Sequence, residues 1–144
     1  MNNSHQHILV CSLVIVLSLP AQAVEPTILT GIVTHVRDGD TIEMGKIAIR
    51  LNGVSAPELK ELLGPQSKQF MRSLVDGKNV QCELDGTKTY DRLVGTCYIE
   101  GKDIRISVIE AGLALDCPRF SGGRYANYEI KGVAAQVKLP KYCR

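Results

Sequence analysis

Residues 27–51 constrain the fold more than any other stretch: short β-branched runs alternate there with tight turns. Thr27–Val36 reads T-I-L-T-G-I-V-T-H-V, partly alternating. Branched side chains lose rotamer freedom in a helix but pack well on a pleated surface, so this run reads as a strand. Arg37-Asp-Gly-Asp40 follows, and Asp-Gly between apolar runs signals a hairpin. Thr41–Met44 resumes a strand, Gly45-Lys46 turns it, and Ile47-Ala-Ile-Arg-Leu51 completes a three-stranded meander. The chain has no Trp and two Phe, so its core rests on Val, Ile and Leu.

Ser55-Ala-Pro57 breaks the strand pattern. A helix is expected over Gly64–Val75, with Leu62, Leu63, Phe70, Leu74 and Val75 available for its buried stripe and Asp76-Gly77 as its stop. Asn79–Leu84 reads as a fourth strand, Asp85–Asp91 as a polar loop and Leu93–Ile99 as a fifth strand. Ile104–Ala111 reads as a short helix ended by Gly112, Cys117–Gly123 as irregular, and about Tyr125 to Val137 as a last helix. The order β-β-β-α-β-β-α fits a mainly β, α+β domain: an OB-type five-stranded barrel with about three helices. An open α+β sandwich would give a similar string.

Residues 1–23 stand apart. They contain no Lys, Arg, Asp or Glu, and Ile8–Leu19 is an apolar run too short to span a bilayer comfortably. Pro20-Ala-Gln-Ala23 supplies a small-x-small cleavage pattern, so a signal peptide cut after Ala23 is expected, with an uncleaved anchor as the alternative. Residues 24–144 then form a single domain, destined for the periplasm or the medium. They hold Cys82, Cys97, Cys117 and Cys143. An even number in an exported chain of this size indicates two disulfides. Cys82 and Cys97 flank a hairpin turn and are expected to pair, leaving Cys117–Cys143 to tie down the tail. No C-x-x-C spacing supports a zinc site.

The formal net charge of +2 argues for no polyanion by itself. Nucleophilic catalysis has little to work with: residues 24–144 hold one histidine, His35, inside a strand pattern, and no Gly-rich phosphate loop. What stands out are polar residues at strand ends: Asp38 and Asp40 on one turn, Arg50 inside an apolar strand, Glu58 just after a proline, and Arg92 opening another apolar strand. Each has an ordinary alternative. The aspartates shape a hairpin, Arg50 points outward, Glu58 is a helix-start charge, and Arg92 pairs with Asp91 or Glu83.

Taken together, Val36-Arg-Asp-Gly-Asp-Thr-Ile42, Ile49-Arg-Leu-Asn-Gly-Val-Ser-Ala-Pro-Glu58, Tyr90-Asp-Arg92 and Ile109-Glu-Ala-Gly-Leu-Ala114 resemble the staphylococcal nuclease (thermonuclease) family over about residues 28–115. The resemblance implies an OB-type barrel and an endonuclease hydrolysing DNA and RNA phosphodiesters, usually with calcium. By position, Arg50 and Arg92 resemble its phosphate-clamping arginines and Glu58 the carboxylate engaging the attacking water. Asp40 resembles a calcium ligand, with Asp38 nearby, and Tyr90 a tyrosine beside the phosphate.

Departures are visible. Ser55 stands where the family pattern D-x-P-E has a second calcium-ligating aspartate, which weakens the expected Ca2+ site and admits Mg2+ or Mn2+. Asp91 replaces a usual Gly and is placed to pair with Arg92. The segment after Glu58 is short. Beyond Ala114 the chain resembles exported bacterial relatives with a cysteine-tethered tail, where Arg119, Phe120, Arg124 and Tyr125 combine cations with rings that suit single strands. The expected function is a secreted or periplasmic nuclease, monomeric, acting on single-stranded DNA or RNA. The alternative is a weakly active or inactive OB-type envelope protein that binds nucleic acid or handles exopolysaccharide.

Overall fold

The computed structural model describes residues 25–144, so the expected leader over residues 1–23 lies outside the described residues. The strands are β1 (Thr27–Ile32), β2 (His35–Asp38), β3 (Thr41–Met44), β4 (Ile47–Leu51), β5 (Val54–Ser55), β6 (Asn79–Thr89), β7 (Arg92–Ile99), β8 (Lys102–Asp103) and β9 (Leu115–Asp116); the helices are α1 (Gly64–Val75), α2 (Ile104–Glu110) and α3 (Pro118–Ser121).

The run expected as one strand is bent. Val33 and Thr34 separate β1 from β2, and the bend sends the two halves to opposite ends of the sheet: β1 pairs with β6, and β2 with β3. The sheet order is β1-β6-β7-β4-β3-β2, with β8 on β7. Because β1 and β2 are one continuous segment, the two ends of this order are joined through the chain, and the sheet rolls into the expected OB-type barrel. The bend keeps its backbone bonds. Val33 N–H donates to Lys78 O at 3.0 Å, Gly77 N–H donates to Val33 O at 2.9 Å, and Thr34 N–H donates to Glu43 O at 2.9 Å. All ladders are antiparallel except β4 with β7, which is parallel.

Ile42, Ile49, Leu51, Val80 and Val33 fill the barrel, and α1 closes it with Met71 and Val75. The buried stripe of α1 is Gly64, Ser67, Met71 and Val75. Phe70 and Leu74 only flank the core, and Leu62 is 72% exposed. The packed stripe is thus rotated from the one expected, because small residues let the helix approach the sheet closely. The polar stretch after Leu84 is strand rather than loop: β6 continues to Thr89 past a register shift between Leu84 and Lys88. Asp85 absorbs that irregularity by accepting from Thr87 N–H at 2.9 Å.

The last helix expected over residues 125–137 does not form. Only 3-10 turns occur there, Ala126–Tyr128 and Val133–Ala135. Gly132 adopts φ 87° between them, which interrupts a helical path. The segment 118–121, expected as irregular, is the short helix α3. The tail packs through Val133, Val137 and Leu139 onto Leu115 and Leu63, forming a second small core.

Both expected disulfides are present. Cys82–Cys97 bridges partners in register across β6 and β7, and Cys117–Cys143 joins the end of β9 to the last turn. Loops closed by 15 and 26 residues each contribute about 3 kcal/mol by restricting the unfolded chain.

Gly39 is where turn, strand end and helix meet. A Cβ there would lie 1.8 Å from Ser67 Oγ and 2.7 Å from the Ala56 methyl, while Ser67 Oγ is committed to Leu113 O at 2.8 Å. Gly39→Ala is expected to destabilise the fold by about 1–3 kcal/mol through overpacking. Thermal melting followed by circular dichroism checks this, and an unchanged midpoint would contradict the close approach.

Candidate active site

The turn between β2 and β3 is built on its aspartates. Asp40 N–H donates to Asp38 Oδ1 at 3.0 Å, a local bond that favours a turn over continued strand. It carries Asp40 inward to 6% exposure. There Oδ2 accepts from Ala56 N–H at 2.8 Å, and Oδ1 lies 3.0 Å from Arg50 Nη1. Burial pushes the Asp40 carboxyl up and Asp38 adds to this, while Arg50 and the Ala56 N–H pull it down.

Arg50 does not point into solvent. Its side chain is 13% exposed, and besides Asp40 it donates to Leu51 O at 2.9 Å and Val54 O at 3.0 Å. A buried guanidinium needs this compensation.

Arg92 comes to the same face. In the parallel β4–β7 pair, Ala48 opposes Arg92 and Arg50 opposes Val94, so the two arginines are diagonal neighbours. Between them sits Thr41, fully buried and opposite Arg50 in β3. Its hydroxyl accepts from Arg92 Nη1 at 3.1 Å and donates to Asp40 Oδ1 at 3.3 Å. The result is a continuous chain, Arg92–Thr41–Asp40–Arg50. The sequence reading did not single out Thr41, although the D-G-D-T run contained it.

Asp91 does not pair with Arg92 as expected. It pairs with Arg37 Nη2 at 2.7 Å, and Arg37 also holds Glu43. The Asp91 bond, then Glu43, drive the Arg37 pKa further above its ordinary value, and Arg37 in turn lowers that of Asp91. Arg37 thereby takes the direct ion pair with Asp91, while Arg92 adds a weaker electrostatic pull on the same carboxylate. Tyr90 adopts φ 57° at the β6–β7 turn, its ring 94% exposed and 6.0 Å from the Arg92 guanidinium carbon.

Glu58 lies in a tight turn after Pro57. Its N–H donates to Glu61 Oε2 at 2.8 Å, Glu61 N–H returns to Glu58 O at 2.8 Å, and Gly64 N–H donates to Glu61 O at 3.1 Å. A Cβ on Gly64 would stand 2.0 Å from Glu58 O, so the first residue of α1 packs directly on this turn. The Glu58 carboxylate is exposed and has no side-chain partner among the described residues. Its connection to the arginines runs through Asp40, which grips Ala56 two residues earlier.

Ser55 is buried in β5, opposite Leu115 of β9. Arg119 and Phe120 stand on α3 with the guanidinium 5.8 Å from the ring, and Arg124 is exposed nearby in sequence. Tyr125 does not join them. It is buried, and its hydroxyl donates to Asp103 Oδ2 at 3.0 Å.

Residues 48–136 match the family described as Staphylococcal nuclease homologue. The chain belongs to this family. A succinoglycan biosynthesis protein of Rhizobium meliloti is 33% identical over 102 residues, covering 62% of this chain and 53% of that protein. An uncharacterized endonuclease of Escherichia coli O157:H7 is 37% identical over 89 residues, 58% of each chain. A probable endonuclease of Phaeosphaeria nodorum is 28% identical over 103 residues, 65% of this chain and 35% of that protein. The nuclease homologue thus spans about half the length of the bacterial relatives it matches.

For this nuclease homologue the donor set decides what cation fits. No cluster of three or more His, Cys, Asp or Glu is arranged for a metal among the described residues. Asp38 and Asp40 supply two carboxylates on one turn, and Ser55 is neutral. Two carboxylates do not make a cage for a cation, so any ion held there would keep much of its water.

The family site also rests on a network that the sequence did not mark. Arg105 engages Asp103 through Nε at 2.9 Å and Nη2 at 2.7 Å, and donates from Nη1 to Asn52 O at 2.8 Å. The Tyr125 ring stacks 4.7 Å from its guanidinium carbon. In the string Arg105 reads as an ordinary helix cation. Burial is the main cause raising the Tyr125 phenol to about 12 from 10.0, with Arg105 opposing. A folded-state value above the unfolded one means stability that is complete below about pH 10 and lost as pH rises toward 12. Urea midpoints are therefore expected to fall across that window, and Tyr125→Phe to flatten part of the fall. Equal slopes in the two proteins would contradict the buried phenol.

Proposed function

We propose that the chain is an exported nuclease that hydrolyses phosphodiester bonds of DNA or RNA by direct attack of water. The observation that carries this is the Arg92–Thr41–Asp40–Arg50 chain, which presents two guanidinium groups on one face beside the segment leading to Glu58. Relatives named as endonucleases support the reaction class.

A phosphodiester is anionic and gains charge at its non-bridging oxygens as water attacks phosphorus. Arg50 and Arg92 offer planar donor forks held by strands, so little reorganisation is needed as that charge grows. The bond from Arg92 to Thr41 and those from Arg50 to Asp40, Leu51 O and Val54 O set their directions. Glu58, with a free carboxylate, orients the water and takes its proton. Asp40, with Asp38 and water, would hold a divalent cation, with the Ser55 hydroxyl replacing a charged ligand. When bound, the cation supplies further positive charge beside the phosphate. Lower ligand charge favours Mg2+ or Mn2+ alongside Ca2+. Tyr90, Arg119 with Phe120, and Arg124 offer rings and cations to a single strand.

Residues 1–23 act as the signal peptide and 24–144 as the one mature domain, monomeric and delivered to the periplasm or the medium. The apolar leader and the two disulfides support this.

The test is cleavage of labelled single-stranded DNA and RNA by oxidised protein with Ca2+, Mg2+, Mn2+ or EDTA. EDTA is expected to abolish turnover. Arg50→Ala and Arg92→Ala are each expected to lower kcat on the order of 10²-fold or more with a smaller change in KM. Glu58→Gln is expected to lose at least as much. A second reading, binding without turnover, is favoured by Ser55, which removes one charge from the cation site. Turnover that depends on Glu58 excludes it; folded, oxidised protein that cuts nothing would replace the nuclease reading with it.

A further inference from the structure

We propose that the Cys117–Cys143 cystine is a positioning element of this site: closed, it holds Arg50 and Glu58 in working geometry, and opened, it costs turnover without unfolding the barrel. The part concerning turnover rests on the nuclease reading above.

The weak point of the site is β5. It has two residues, paired only with the two residues of β9, Val54 with Asp116 and Ser55 with Leu115. So short a ladder does not hold itself. Asp116 works against it, since its Oδ1 is buried with no hydrogen-bond partner. Yet the arginine depends on β5. Val54 O receives Arg50 Nη2 at 3.0 Å, and the next residue after β5, Ala56, donates to Asp40 Oδ2 at 2.8 Å.

What braces β5 comes from the tail. β9 runs directly into Cys117, whose N–H donates to Gly53 O at 3.0 Å. α3 follows, packed so closely that a Cβ on Gly53 would lie 2.9 Å from Ser121 Cβ. The disulfide then draws in Cys143, fully buried, and with it the segment whose Val133, Val137 and Leu139 cover Leu115 and Leu63. Leu63 immediately precedes Gly64, which packs on Glu58 O. One tether therefore braces both flanks of the site, β5 beside Arg50 and the turn beneath Glu58.

The two cystines differ in kind. Cys82–Cys97 sits inside the long β6–β7 ladder and the main core. The tail beyond Arg124 has only three-residue 3-10 turns, so few backbone bonds retain it once the tether is cut. Both sulfurs are buried, so a reductant reaches them through local opening of the tail. A dithiol then attacks one sulfur and the S–S bond breaks. Two cysteine thiols form as the reductant leaves as its own cyclic disulfide. Activity would thus be confined to oxidising surroundings.

The experiment compares the mature chain, the Cys117→Ser/Cys143→Ser double variant, and wild type in graded dithiothreitol, with peptide mass mapping to report which bond is open. Opening Cys117–Cys143 alone is expected to lower kcat by roughly tenfold to 10²-fold, with KM moving less than about threefold. Cooperative melting persists. Amide exchange at Ala56 and Asp116 speeds by about tenfold or more, while Ile42 and Ile49 stay protected. Reoxidation restores wild type, and the double variant ignores dithiothreitol. Unchanged exchange at Ala56 with the bond open overturns the proposal, as does full turnover. If the double variant unfolds, partially reduced wild type with Cys82–Cys97 intact decides; loss of the barrel there also overturns it. If oxidised wild type cuts nothing, the nuclease reading fails, and exchange at Ala56 still decides whether the tether positions the site.

Discussion

One buried carboxylate, Asp40, holds three separate pieces of chain together, and the site depends on it. Its oxygens receive the Arg50 guanidinium, the Thr41 hydroxyl and the Ala56 N–H. Removing such a group from water costs several kcal/mol, which only complete pairing offsets. The pairing is with a cation that the adjacent strand already needs to neutralise. Arg50 and Asp40 therefore justify each other's burial, and Thr41 passes the constraint on to Arg92.

The barrel gives this cluster its frame. The bend at Val33–Thr34 lets one segment serve both ends of the sheet, and both of its N–H groups and Val33 O find partners there. The parallel pairing of β4 with β7 follows, and it alone makes Arg50 and Arg92 diagonal neighbours. An antiparallel pairing in the same order would have reversed β7 and carried Arg92 to the far end of the strand. The placement of these two arginines is a consequence of topology.

Charge is managed at a second level around the site. Asp91 sits next to Arg92 in sequence, yet Arg37 takes it, supported by Glu43. Arg105 and Asp103 satisfy each other beneath Asn52, so the turn after β4 is held from below. Arg37 with Asp91, and Arg105 with Asn52 O, join residues far apart in sequence. Arg37 and Arg105 look like surface cations until the fold brings their partners.

Local patterning by itself determined most of the meander, α1 and the Cys82–Cys97 pairing, with Cys117–Cys143 as its remainder, and it picked out Asp38, Asp40, Arg50, Glu58 and Arg92, because each is written in neighbouring residues: Asp-Gly turns, β-branched runs, cysteine parity, charges interrupting apolar stretches. It misplaced what depends on distant partners. β6 runs on through polar residues because β7 pairs with it as far as Thr89. The tail does not become the helix that residues 125–137 allow, because Gly132 interrupts the path and its apolar residues are claimed by Leu63 and Leu115. Tyr125 looked like a surface ring beside Arg124, yet Asp103 and Arg105 draw it into the core. Only the tertiary structure decided which way Arg50 points, whom Asp91 pairs with and that Thr41 links the two arginines. Those outcomes are set by desolvation and by partners far away in sequence, and a charge in a string has neither until the chain has folded around it.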